Sequence, residues 1–257
     1  MGETVSEADL FWAEEFDLSA LSYDQFLAFF FDRPVVKVGQ YELFREGIDF
    51  FIATKPETVV SHLRTMCRTF AELAKVYSPE QLDQGLWAVF GSGINCEQYL
   101  FGPAVDSALR TTCIESMYLP FRDVVTLRGG DIHDSFYFMW WDMILHTFWG
   151  ATDQHKFDRS GLSADELMEK MWQLALTHDY SRLTAEETHM AETMFRTLVK
   201  ILALDHRGCQ WCALHGLGHL HHPLVRGIVQ EFMNVHRDEL SGEDLRWVEA
   251  CRDGTNA

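Results

Sequence analysis

Apolar residues recur along this chain at steps of three and four. From 57 to 76 the series Val59, Leu63, Met66, Phe70, Leu73 and Ala74 marks one side of a helix. From 187 to 204, Met190, Met194, Leu198, Ile201 and Leu202 do the same. The pattern predicts further helices over 23–31, 79–90, 104–126, 133–149, 164–178, 208–220, 223–238 and 242–252. No segment sustains polar/apolar alternation, and Val35 to Val38 reads as a short, isolated extended piece.

Helix-start signals agree with these positions. In a capping box a Ser or Thr accepts from the amide three residues on, where a Glu or Gln reaches back to the cap. Ser22/Gln25, Thr54/Glu57, Ser78/Gln81, Ser163/Glu166 and Thr184/Glu187 have this spacing, and Ser241/Asp244 is a weaker version. Pro56 and Pro79 fall in first turns, where a missing N–H costs nothing. The segment 133–149 is apolar nearly all round, through Phe136, Tyr137, Phe138, Trp140, Trp141 and Phe148, so it belongs in the middle of the domain. Gly150 to Ser163 is polar and reads as a loop or linker.

Composition fits a large helical core. The 257 residues are 47% hydrophobic and 13% aromatic, with only 6 prolines, which excludes general disorder and favours long helices. The expectation is one all-α domain over 1–257, built from stacked antiparallel helix pairs. Thr65 to Phe70 is echoed by Thr193 to Leu198 at an offset of 128 residues, which raises an internal duplication with halves of about 1–128 and 129–257.

The stretch Cys209-Gln210-Trp211-Cys212-Ala213-Leu214-His215-Gly216-Leu217-Gly218-His219-Leu220-His221-His222-Pro223 resembles the first helix and turn of a HEAT or lyase-type HEAT-like repeat. Such repeats read ALxxLGxL, then a polar turn, then a proline opening a second helix. Here Pro223 precedes Leu224 to Phe232. The resemblance covers about residues 208–237, and the remainder departs from the pattern. It implies an irregular HEAT-like α-solenoid or α-α superhelix that binds partners on a concave face.

Charge narrows the partner. Lys and Arg number 21 against 39 Asp and Glu, a formal net charge of -18. Such a surface repels phosphate backbones and attracts basic proteins, so direct nucleic-acid binding is not expected. The first 32 residues carry eight acids and no Lys or Arg, interleaved with aromatics. Phe11, Trp12, Glu14, Glu15 and Asp17 are the candidate partner-binding set. No membrane span is expected, because the most apolar stretch is short and contains Asp142 and His146. The opening MGETVSEADL lacks the regions of a signal peptide, so a cytoplasmic location with reduced thiols is expected.

Candidate chemistry is sparse. Cys209, Cys212, His215 and His219 form C-x2-C-x2-H-x3-H. Zinc takes four N/S ligands in a tetrahedron, and one helix offers two or three on a shared side, so zinc or another divalent metal is the alternative to no cofactor. His133-Asp134 partly resembles the metal-holding dipeptide of the all-α HD phosphohydrolases, with His62 and Asp205 as outer ligands. Asp142/His146 is an i,i+4 pair inside the apolar helix, and Glu186/His189 is a lone E-x-x-H. Nothing resembles a nucleophile elbow, P-loop, H-E-x-x-H or G-x-G-x-x-G. The first expectation is therefore a non-enzymatic protein-binding module. One version is a bacterial immunity or inhibitor protein that covers a basic partner. The alternative is a metal-dependent hydrolase of the HD type.

Overall fold

Side-chain caps start four of the helices where the spacing predicts them. Ser22, Ser78, Thr184 and Ser241 each accept from the amide three residues on, and Gln25, Gln81, Glu187 and Asp244 reach back to the cap. Ser163 and Glu166 make the same reciprocal bonds. The computed structural model describes residues 14–36, 48–91, 94–128, 135–153, 162–163, 166 and 178–256. The predicted helix over 164–178 and the dipeptide His133-Asp134 lie outside them.

The fold is all-α, with packed helix pairs. In chain order the helices are α1 (Tyr23–Phe31), α2 (Pro56–Arg68), α3 (Phe70–Val76), α4 (Pro79–Phe90), α5 (Ser107–Ser116) and α6 (Tyr118–Asp123). They continue with α7 (Phe136–Asp153), α8 (Ala185–Leu202), α9 (Arg207–Leu220), α10 (Val225–Val235) and α11 (Gly242–Asp253). Two strands, β1 (Glu14–Asp17) and β2 (Ile48–Ile52), pair in parallel and were not expected.

Three local departures from the pattern have physical causes. The helix predicted over 57–76 breaks at Thr69, whose hydroxyl donates to Thr65 O and also meets the Tyr23 hydroxyl at 2.9 Å. The helix predicted over 104–126 divides into α5, α6 and a 3-10 turn, Val125–Leu127. Thr54 does not cap α2. Its hydroxyl donates instead to Asp17, a tertiary partner that outcompetes the local one.

The apolar helix α7 lies in the core as its composition requires. Phe136, Tyr137, Trp140, Trp141, Ile144 and Leu145 have no exposed surface. Trp140 meets the rings of Phe70, Phe90 and Phe121 from α3, α4 and α6. The first amide of α7 is capped from outside, donating to Asp83 Oδ1 at 2.6 Å. On its other side α7 packs against α9, which also packs on α8 and α11. Gly216 permits this close approach: a Cβ there would stand 2.6 Å from Trp141 Cβ and 2.8 Å from Leu198 Cδ2. The Gly-Leu-Gly of the HEAT-like stretch thus has a packing reason of its own. The turn after α9 places His221 in the left-handed region, and α10 begins at Val225, two residues beyond Pro223.

Candidate functional site

Histidines gather where the C-terminal half of α9 crosses α7. Residues four apart on a helix share a face, so Asp142 and His146 project together from α7, as His215 and His219 do from α9. The helices bring the pairs together. His219 Nε2 lies 3.1 Å from His215 Nε2 and 3.5 Å from Asp142 Oδ1. His215 is buried, stacked on Phe138 with ring centroids 4.3 Å apart. Asp142 and His219 are each 27% exposed, and His146 stands exposed at the rim.

Hydrogen bonds settle which nitrogens carry protons. His215 Nδ1 is 3.1 Å from the carbonyl oxygen of Phe138. A carbonyl only accepts, so Nδ1 carries a proton, and in the neutral ring Nε2 presents a lone pair to His219. His219 then donates through Nε2. Burial lowers the His219 pKa to about 4, helped by His215, His221 and His146 and opposed by the Asp142 carboxylate. The ring is therefore neutral near pH 7.

Two further groups flank this centre. Trp149 donates through Nε1 to His219 O at 3.1 Å and stacks on His178 at 4.5 Å, with His221 against its edge. On the far side of the turn, His222 Nε2 meets Glu192 Oε1 at 2.9 Å, and Phe195 stacks on the imidazole at 4.0 Å. The hydrogen bond from His222 lowers the Glu192 pKa, and Tyr180 donates to the same carboxylate.

No family model, curated protein or solved structure matches this chain.

The site is therefore read from its own geometry. Cys209 and Cys212 do not join the histidines. Cys209 Sγ faces Phe121 O at 3.7 Å, and burial pushes its thiol up to about 12. Burial likewise raises the Cys212 thiol well above its ordinary value. All six cysteines are free and buried. Among the described residues, no group of three or more His, Cys, Asp or Glu is placed so that it could hold a metal ion. His62, an outer ligand in the HD-type reading, is committed to Leu21 O at 3.0 Å and packs against Tyr23 and Phe26. Glu186 pairs with Arg110 at 2.6 Å, and His189 Nε2 meets the Thr111 hydroxyl at 3.0 Å.

Of the N-terminal set, Phe11 and Trp12 lie outside the described residues. Glu14 and Glu15 lie on β1. Asp17 ends that strand, and its carboxylate accepts from Ser19 and Thr54. Slight burial opposes the change, but these bonds lower its pKa to about 2. A separate cavity of about 230 Å³ is lined by Phe101, Phe148, Arg110, Thr152, Glu186 and Met190, among others. Sequence reasoning found both i,i+4 pairs but not their meeting, which depends on the crossing of α7 and α9.

Proposed function

We propose that this chain is a non-enzymatic helical protein that binds a basic protein partner. In its concrete form it is an immunity or inhibitor protein on a HEAT-like scaffold. The supporting observation is the state of its surface acids. Asp24, Asp32, Glu57, Glu115, Glu231 and Glu243 are exposed and form no ion pair with a described residue. With a net charge of -18, that surface steers a basic partner inward from a distance and is neutralised by it on contact. An enzyme that cuts nucleic acids is basic at its active site, which makes it a fitting partner.

Affinity capture from the native cell with mass spectrometry is expected to return a basic protein whose association slows as salt rises. Glu14→Lys with Glu15→Lys should slow association and flatten its salt dependence. Asp17 is left unchanged, because its carboxylate holds Ser19 and Thr54. Trp12→Ala should raise the dissociation rate, as loss of an aromatic anchor does. A captured partner that is acidic, or association unchanged across salt concentrations, removes this reading.

A further inference from the structure

The cavity of about 230 Å³ lies where the starts of α5 and α8 meet the end of α7. The buried part of its lining is apolar. Phe148 and Met190 have almost no exposed surface, Phe101 meets Phe148 edge-on at 5.3 Å, and Ala151 adds only a methyl group. The outer part of the lining carries charge: Glu186 is exposed and Glu187 half-buried on the first turn of α8, with Arg110 of α5 beside them. These charged groups keep unused bonding capacity. Arg110 donates through Nη2 to Glu186 Oε1 at 2.6 Å, but its Nε is buried with no partner and its Nη1 bonds to no described residue. Glu187 Oε2 accepts from Thr184 N at 2.7 Å in the α8 cap, while Glu187 Oε1 and Glu186 Oε2 accept from no described residue. We propose that the cavity binds a free apolar α-amino acid of the size of leucine or phenylalanine. Its carboxylate accepts from Arg110 Nη1, its ammonium donates to the open oxygens of Glu186 and Glu187, and its side chain packs on Phe101, Phe148 and Met190.

Size and charge select this class together. Pockets for drug-sized ligands run to about 300–1,000 Å³, so this one suits a smaller molecule. The apolar depth asks for a hydrocarbon side chain, and the charged rim asks for a polar head. A ligand with a carboxylate alone meets the two glutamates as like charges. A ligand with an ammonium alone leaves the free donors of Arg110 unanswered. A zwitterion matches both signs at once, and the Arg110–Glu186 bond stays in place. This inference is independent of the partner-binding reading, which rests on other acids.

The test titrates the full chain at neutral pH with leucine and with phenylalanine. Calorimetry follows binding, and the methionine methyl signals report on Met190 in the unmodified chain. One equivalent of at least one amino acid should bind, and the Met190 signal should shift. Phenethylamine lacks the carboxylate and N-acetylphenylalanine lacks the ammonium. Each should bind about tenfold or more weakly than phenylalanine, the usual loss for a hydrogen bond to a charged group. Glu187→Gln keeps an acceptor for Thr184 N but drops the charge, and should weaken binding to a similar degree. Ala151→Phe fills the cavity and should abolish binding. The proposal is overturned if neither amino acid binds stoichiometrically, or if the Met190 signal stays still at saturation. It is equally overturned if either analogue binds as tightly as phenylalanine, or if affinity is unchanged in the folded Glu187→Gln and Ala151→Phe chains.

Discussion

Glu97 has no exposed surface, although it lies on a short 3-10 helix, Cys96–Leu100. One carboxyl oxygen accepts from Thr147 Oγ1 at 3.1 Å, and the other has no partner among the described residues. Burial pushes its pKa from 4.5 to about 8, so near pH 7 the folded chain holds it mostly protonated. The unfolded chain ionises it near the ordinary value. Between those two values the unfolded state gives up a proton that the folded state keeps, so rising pH costs stability. Glu97→Gln removes that titration while keeping the shape. The variant should therefore gain on the natural chain as pH rises from about 5 to about 8, by a few kcal/mol at the upper end. Thermal melts across this range measure it, and parallel pH profiles for the two chains would mean that Glu97 ionises inside the fold. In the sequence Glu97 is one more acid between Cys96 and Gln98. Its burial comes from α2, α4 and α7 closing over the short helix, which no local pattern announces. The histidines are similar: each i,i+4 pair is legible alone, and only the tertiary crossing joins them.

Most helices were legible because their determinants are local. A cap and the positions three and four residues on lie within one turn, so the starts of α1, α4, α8 and α11 can be read directly. What escaped depended on distant partners. The β1–β2 pair joins segments of four and five residues, with α1 between them in the chain. Neither is long enough to display alternation. The break at Thr69 has no glycine or proline to mark it, and the Thr54 hydroxyl is taken by Asp17. Thr54 and Thr184 therefore make a matched comparison. Thr184→Ala should lower stability by about 1 kcal/mol through loss of the α8 cap, seen as a lower melting temperature and faster amide exchange in the first turn. Thr54→Ala should leave exchange in the first turn of α2 unchanged. It should instead free Asp17, whose carboxyl pKa should rise from about 2 toward its ordinary 3.8. Faster exchange at the start of α2 in Thr54→Ala would show that the predicted local cap operates after all.

At the scale of the whole molecule, the net charge of -18 acts on the chain and on its partner in opposite senses. Alone, the folded chain holds its acids closer together than the unfolded chain does, so self-repulsion opposes folding. Few of the described ion pairs offset this, and several, such as Lys75–Glu72 and Arg182–Asp179, are exposed and add little. Added salt shortens the screening length from about 30 Å at 0.01 M to about 8 Å at physiological strength. The repulsion weakens, and the melting temperature of the isolated chain should rise over this range. The same screening should slow association with a basic partner, because long-range steering is lost. Melting curves in sodium chloride, beside others in a neutral sugar of matched osmolality, separate screening from general solute exclusion. The expected result is a salt-specific rise in melting temperature that levels off near physiological strength. A melting temperature that is flat or falls over that range would mean that the acids are already compensated within the fold. The acid surplus would then be no guide to a partner, and the search for one should move to the histidine-lined crossing of α7 and α9.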